Sequence, residues 1–168
     1  METILEIRPA RPSEWKTLKE IRLQALQDSP ESFGERYQDV IQKDDDQWQQ
    51  DFQKAVESEH QDILFATINS VVVGMLFVFV RDQRKKIGGI GGLWIAPNHR
   101  QKGSGRQIIE TALAWLKSKG LQTVTFWSNT TNEASTKFYE KLGFSYTGIE
   151  KPLESAPNFI IGEMKKEL

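Results

Sequence analysis

Residues 96–109 read APNHRQKGSGRQII: a proline, the cationic or imidazole side chains of His99, Arg100, Lys102 and Arg106, and Gly103 and Gly105 just ahead of an apolar helical pattern. A helix start carries backbone N–H groups without intrahelical partners and the positive end of the helix dipole, so the turn over 102–107 reads as an anion cradle. Gly103 and Gly105 remove side chains that would hold a ligand off that backbone, while Arg100, Lys102 and Arg106 add charge. A pyrophosphate fits such a site. A helix start that is glycine-rich by accident, with its cations in solvent, would use the same residues, so the flanking elements must decide. Neither GxxxxGK[S/T] nor GxGxxG is present; the spacing is RxxGxG, in the order strand, proline, loop, helix.

Composition removes several other chemistries. The chain has no cysteine, and its histidines, His60 and His99, lie far apart without ligand-spaced carboxylates, so thiolate chemistry is excluded and no metal site is expected. A formal net charge of -1 supplies no broad basic field for a phosphate backbone, which argues against nucleic acid as a partner. The N-terminal METILEIRPARPSEW lacks the apolar core of a signal peptide, and the apolar run Val71 to Val80 is too short to span a bilayer. A cytoplasmic protein without membrane contact is therefore expected, and Asn129-Thr130-Thr131, though a glycosylation sequon, is given no meaning.

At 168 residues, with 38% hydrophobic and 27% charged positions, the chain is expected to be a single compact domain over 1–168. TILEIR (3–8) predicts a strand, followed by a helix that Ser13 could cap and whose Trp15, Leu18, Ile21 and Ala25 share a face. DSPESFG (28–34) reads as a loop. A peripheral helix is predicted over 45–56, with the acidic run 44–46 at its N-terminus. DILFATI (62–68), the turn Asn69-Ser70 and VVVGMLFVFV (71–80) predict a hairpin.

IGGIGGLWIAP (87–97) is a strand whose glycines suggest a bulge or a close approach by another backbone or a ligand. The helix after it ends at Gly120, and LQTVTFW (121–127) completes a strand-helix-strand unit that should be parallel with a right-handed crossover. A short helix from 132 to 142, closed by Gly143, and two final antiparallel strands finish a mixed α/β layer structure.

RQKGSG, placed after a strand and proline, resembles the acetyl-coenzyme A motif [Q/R]xxGx[G/A] of the GCN5-related N-acetyltransferase (GNAT) family, with Arg100, Gly103 and Gly105 at the defining positions. NEASTKFYEKLGF (132–144) is similar to that family's second motif, NxxAxx[F/L]YxxxGF, one strand downstream, and LQALQDSPESFGERY (23–37) resembles a substrate-side loop of one bacterial branch. The likeness spans nearly the whole chain, with the weakest signal over 1–60. It implies a central mixed, mostly antiparallel sheet of about six to seven strands, with a parallel splayed pair and flanking helices.

The resemblance further implies acetyl-CoA as acyl donor and no metal. Leu93, Trp94 and Ile95 would offer their backbone to the pantetheine and acetyl carbonyl, and Gln101, Lys102, Gly103, Ser104, Gly105 and Arg106 would hold the pyrophosphate. Asn132 matches the asparagine that contacts the cofactor and could equally cap the helix after it. Tyr139 matches the acid that protonates the leaving thiolate, with a buried packing aromatic as the plain alternative.

The implied activity is direct transfer of acetyl to a primary amine of a small molecule or peptide; a non-catalytic acyl-CoA-binding sensor with the same fold is the alternative. Many relatives carry a glutamate on the strand before the loop. Residues 87–96 contain no carboxylate, so a base would act through water from Glu31, Glu35 or Glu163, or the amine would arrive neutral. Phe33 with Glu31 and Glu35 sketches an acceptor site, and the loops near 28–37 and 150–160 are expected to recognise the acceptor. A homodimer is compatible by analogy alone.

Overall fold

The computed structural model describes residues 4–168, so Thr3 of the first predicted strand lies outside the described residues. Strands β1 (Leu5–Pro9), β2 (Gln61–Ile68), β3 (Val71–Asp82), β4 (Ile87–Ile95), β5 (Thr123–Asn129), β6 (Ser145–Leu153) and β7 (Ala156–Glu167) form one seven-stranded sheet in the order β1-β2-β3-β4-β5-β7-β6. Every neighbouring pair is antiparallel except β4 and β5, which run parallel. The fold is thus the mixed, mostly antiparallel sheet with one parallel pair that the sequence led us to expect.

Helices α1 (Trp15–Asp28), α2 (Tyr37–Val40) and α3 (Asp45–Val56) pack with Ile63, Phe65, Met75 and Trp94 in one apolar cluster. Helix α4 (Ser104–Ser118) belongs to a second cluster with Leu76, Val78, Ile90, Val124 and Met164, and α5 (Glu133–Lys141) adds Tyr139 to it. Alternation along β3 and β4 sends successive side chains to these two layers. In α4, Ile108, Ile109, Ala112 and Leu116 are wholly buried; each of the larger ones contributes on the order of 1.5–3 kcal/mol relative to exposure.

Several local expectations hold and two are corrected. Asn69 and Ser70, with φ of 48° and 69°, make the tight turn of the β2–β3 hairpin. Asp44 caps α3 by accepting from the Gln47 N–H at 2.8 Å. Gly120, at φ 74°, closes α4 as its N–H bonds back to Lys117 and the Leu121 N–H to Leu116. Ser13 does not cap α1: the flanking residue is Glu14, whose carboxylate instead takes Arg8 at 2.7 Å and the Arg11 N–H at 2.7 Å. The DSPESFG loop contains a 3-10 turn, Pro30–Ser32, and the short α2 follows it; neither is long enough to show a period in the sequence.

The glycines of β4 have separate causes. Side chains at Gly88 and Gly89 would collide with Leu116 and with the Phe79 ring, so these positions admit helix and sheet neighbours rather than a ligand. Gly92 is different: its φ is 63°, and the β3–β4 register slips between Met75↔Trp94 and Phe77↔Gly91. This is the bulge the sequence suggested, and it bends β4 where the site begins.

Candidate functional site

The parallel pairing of β4 with β5 stops at Gly89↔Thr125, although β4 continues to Ile95 and β5 to Asn129. Beyond that point the two strands diverge, and a cleft of about 630 Å³ opens, lined by Leu93, Trp94 and Ile95 of β4, by Arg100, Gln101, Gly103, Gly105 and Arg106 of the turn, and by Asn132, Ser135, Phe138 and Tyr139 from α5 and its cap. A narrower recess of about 100 Å³ continues between Ile90, Gly91 and Gly92 on one side and Phe126 to Asn129 on the other. Most of the predicted cofactor residues, scattered over some forty positions, thus meet in one place; Lys102 and Ser104 lie in the same turn but not on the cleft wall.

At the mouth, Gln101 and Gly103 both have left-handed backbone, with φ of 60° and 87°. Among the described residues the N–H groups of Gln101, Lys102, Gly103, Ser104, Gly105 and Arg106 have no partner; the first bond of the helix runs from Gln107 to the Gly103 carbonyl at 3.0 Å. Alternating left-handed residues ahead of a helix N-terminus converge such groups on one point, which makes an anion nest. A β-carbon at Gly103 would meet nothing within 4 Å, so the space above the turn is open. The Ser104 hydroxyl is buried in the same turn without a partner.

The cations of the turn are placed differently from a simple charged cradle. The Arg100 guanidinium donates to the Ile95 carbonyl at 2.8 Å and to Asp28, which also accepts from the Trp94 indole at 2.9 Å. Arg100 therefore staples the end of β4 to the end of α1. These donors, with Trp94 foremost, hold the Asp28 carboxyl below the usual carboxylate range. Lys102 turns back onto the Asn98 carbonyl at 2.8 Å, and Arg106 pairs with Glu110 at 2.7 Å. Backbone N–H groups, more than free cations, make this site.

Tyr139 is 8% exposed, and its ring packs on Phe126 with centroids 4.4 Å apart, so both the packing and the chemical readings of this residue have a physical basis. Its hydroxyl has no hydrogen-bond partner among the described residues, and the residue lines both parts of the cleft. Burial pushes the phenol well above its ordinary range, so it stays protonated at neutral pH. Asn132 caps α5, its side-chain oxygen accepting from Ser135 N–H at 3.0 Å, and also lines the cleft.

Phe33 is buried and closes one end of the cleft, whereas Glu31 and Glu35 do not line it. The Glu35 carboxylate is paired with Arg22 at 2.8 Å, Glu163 accepts from Thr147 at 3.2 Å, and Glu31 contributes its backbone carbonyl to Asn129. Among the described residues no aspartate or glutamate lines the cleft. The loops at 28–34 and 154–155 do meet, through the Ser155 hydroxyl and the Phe33 carbonyl.

Two participants escaped the sequence reading. Asp28 looked like a loop residue, and nothing local reveals its partners 66 and 72 positions away. Arg22 did leave a trace: it stands between Leu18 and Leu26 at four-residue spacing, a cation in the middle of a buried stripe. Asn129 of the sequon is 6% exposed, and its side-chain oxygen accepts from Thr131 N–H and hydroxyl, making a turn at the end of β5. Among the described residues no group of three metal-ligating side chains occurs, and no helix is long and apolar enough to cross a membrane.

Comparison with known proteins matches this geometry. An uncharacterized N-acetyltransferase, YobR, of Bacillus subtilis is 34% identical over 58 residues, covering 34% of this chain and 24% of that protein. One from Archaeoglobus fulgidus is 28% identical over 81 residues, 46% of this chain and 55% of that protein. The matched stretches thus span well under two thirds of these relatives. An acetyltransferase of the GNAT family from Streptococcus pneumoniae superposes with a TM-score of 0.78 at 23% identity, over 98% of this chain and 100% of that one. The spermidine N-acetyltransferase of Vibrio cholerae, in complex with CoA and spermine, gives 0.79 at 14% identity over 97% and 95%. At such identities the likeness is one of fold. The family model described as acetyltransferase (GNAT) family matches residues 15–144, and with the splayed strands and the nest in place the chain belongs to that family.

Proposed function

We propose that residues 1–168 form a single N-acetyltransferase domain that transfers acetyl from acetyl-CoA directly to a primary amine of a small molecule or peptide. The observation that carries this reading is the run of unpartnered N–H groups over 101–106 at the mouth of the β4–β5 cleft, with the Tyr139 hydroxyl on its wall. Acetyl-CoA supplies the activated thioester.

The chain's own groups then have definite work. The nest holds the pyrophosphate, and the edges of β4 and β5 beyond Gly89 and Thr125, which no longer pair with each other, offer N–H and C=O groups to an extended amide-bearing arm, as a sheet edge takes an added strand. An N–H of β4 polarises the thioester carbonyl as the amine attacks. Tyr139 donates a hydrogen bond to the departing sulfur. Its raised phenol is a weaker acid than a thiol of pKa about 8.5, so it stabilises the thiolate and keeps its own proton; the proton shed by the attacking nitrogen as the amide forms passes to solvent, and solvent protonates the sulfur.

With no carboxylate on the wall, the attacking amine is one that is already neutral in a useful fraction. An α-amino group, at about 7.7–8.0, meets that need far better than an alkylamine near 10.4.

The test is release of coenzyme A thiol from acetyl-CoA across amino acids and their amides, short peptides, polyamines, aminoglycosides and aryl amines, with product mass as confirmation. Amine-dependent release supports the proposal. Tight acetyl-CoA binding with no release from any amine would replace it with the sensor reading.

A further inference from the structure

An extended cofactor would meet the cleft at two half-sites, the edge of β4 at Leu93, Trp94 and Ile95 and the nest at 101–106. One molecule reaches both only if their separation is held. The connection between them is short: a 3-10 turn over Pro97–His99, in which the His99 N–H donates to the Ala96 carbonyl at 2.8 Å and the Arg100 N–H to the Pro97 carbonyl at 3.3 Å. On its outer side this turn stands off from α1, because a groove of about 610 Å³ lies between residues 96–99 and the side of α1 that carries Gln24 and Gln27.

Asp28, the last residue of α1, bridges that groove. One carboxylate oxygen, Oδ2, accepts from the Trp94 indole at 2.9 Å, from Arg100 Nη2 and from the Ser29 hydroxyl at 2.7 Å. The same guanidinium donates through Nε to the Ile95 carbonyl at 2.8 Å. Trp94 and Ile95 belong to the first half-site, and Arg100 directly precedes Gln101, whose left-handed backbone begins the second. Among the described residues, every side-chain hydrogen bond between α1 and residues 94–100 ends on Asp28.

Helix stability does not account for an acid at this place. The C-terminal end of a helix dipole is negative, and the last turn of α1 holds no basic residue to offset the carboxylate. Its compensation comes from Trp94 and Arg100, far away in sequence and on either side of the turn. Asp28 itself does not line the cleft.

We propose that Asp28 is a positioning residue: through Trp94 and Arg100 it fixes the span between the β4 edge that receives the pantetheine arm and the nest that receives the pyrophosphate. The proposal rests on the acetyl-CoA reading of the cleft. A ligand seated in one half-site presents its other end to the second at an effective concentration set by the span, highest when that span matches the ligand. Loosening the span lowers this concentration and leaves the contacts within each half-site in place.

The test compares a whole ligand with its part. Acetyl-CoA, and ADP as a probe with the pyrophosphate but no arm, are titrated into the full chain and its variants by ¹H–¹⁵N spectra, with circular dichroism confirming the fold. Asp28→Ala should weaken acetyl-CoA about 10-fold and ADP by less than about 2-fold. Asp28→Asn keeps a carbonyl acceptor for the indole but no charge for Arg100, so it should fall between; it also supplies the comparison should the alanine variant not fold. Arg100→Gln acts on the same span, and adding it to the Asp28 variant should cost little more.

Equal losses for the two ligands overturn the proposal, since they would mean that Asp28 shapes the nest or the fold at large. Undiminished acetyl-CoA affinity in the folded variants overturns it too, as do additive losses in the double variant. Natural protein that binds acetyl-CoA but not ADP removes the nest as a half-site and the span with it. Natural protein that does not bind acetyl-CoA refutes the acetyltransferase proposal instead.

Discussion

The turn at 101–106 and the region around Arg22 and Trp48 both hold N–H groups without partners among the described residues, but they are made in opposite ways. In the turn the donors are backbone amides, aimed by the positive φ of Gln101 and Gly103 and by the start of α4, all within a few residues of sequence. Around Arg22 and Trp48 they are one guanidinium nitrogen and one indole, brought together from α1 and α3 and closed off from solvent. A backbone nest tolerates many side chains and recognises a constant group such as pyrophosphate. Side-chain donors change with every substitution.

The sharpest way to break that contrast is Gly105→Glu. A β-carbon there already sits 3.3 Å from the Phe138 ring, and the carboxylate adds negative charge at the nest. Calorimetry should show acetyl-CoA affinity reduced on the order of 100-fold or more, as an unpaired like charge demands, with circular dichroism confirming a folded chain. Unchanged affinity would remove the nest from the binding site.

Tyr139→Phe should come next, lowering kcat by about 10- to 100-fold, the range of one hydrogen bond to a charged group, with acetyl-CoA affinity nearly kept. The same hydroxyl carries a pH signature. Because burial raises the phenol in the folded state, its contribution to stability is fully present below the unfolded value of about 10 and is lost as pH rises from there toward the folded one. Thermal melts above that pH should fall less steeply in Tyr139→Phe than in the natural protein.

A smaller effect is expected at Asp28, which stands at the junction of α1 with the end of β4. Its carboxyl is held low by Trp94, Ser29 and Arg100, so its stabilisation is present above the unfolded carboxylate value and disappears as pH falls through the folded one. Asp28→Asn should cost about 1 kcal/mol at neutral pH and flatten the acid limb of a denaturation profile, since the pair is partly solvated. An unaltered acid limb would mean that the staple does not hold the strand.

The least change is expected from Lys102→Ala. The ammonium is exposed and already donates to the Asn98 carbonyl, so acetyl-CoA affinity should fall by only a few-fold, and the gap from the natural protein should narrow at high salt. A loss comparable to Gly105→Glu would show that charge, not backbone, makes the anion site.

Much of this architecture was legible in the chain because its signals are local. Gly103 and Gly105 ahead of Ile108 and Ile109 declare a phosphate-type turn and the helix that follows it, and Asn132 seven positions before Tyr139 declares the short helix between them. The hairpin turn at Asn69-Ser70 and the stop at Gly120 follow from which residues accept positive φ. The glycines of β4 show the limit of such reasoning. From the sequence they form one class, yet Gly92 bends the strand while Gly88 and Gly89 make room for Leu116 and Phe79.

By itself, then, the sequence determined the longer elements, their order along the chain, the family motifs and the place of the anion turn, since each depends on periodicity, capping or backbone freedom within a few residues. Only the tertiary structure decided how the cations are used: Arg100, Lys102 and Arg106 each find a protein partner, and one nitrogen of Arg22 is buried without a partner among the described residues. Partnership and burial are set by groups that arrive from distant positions, and a side chain's chemistry depends on what stands beside it after folding.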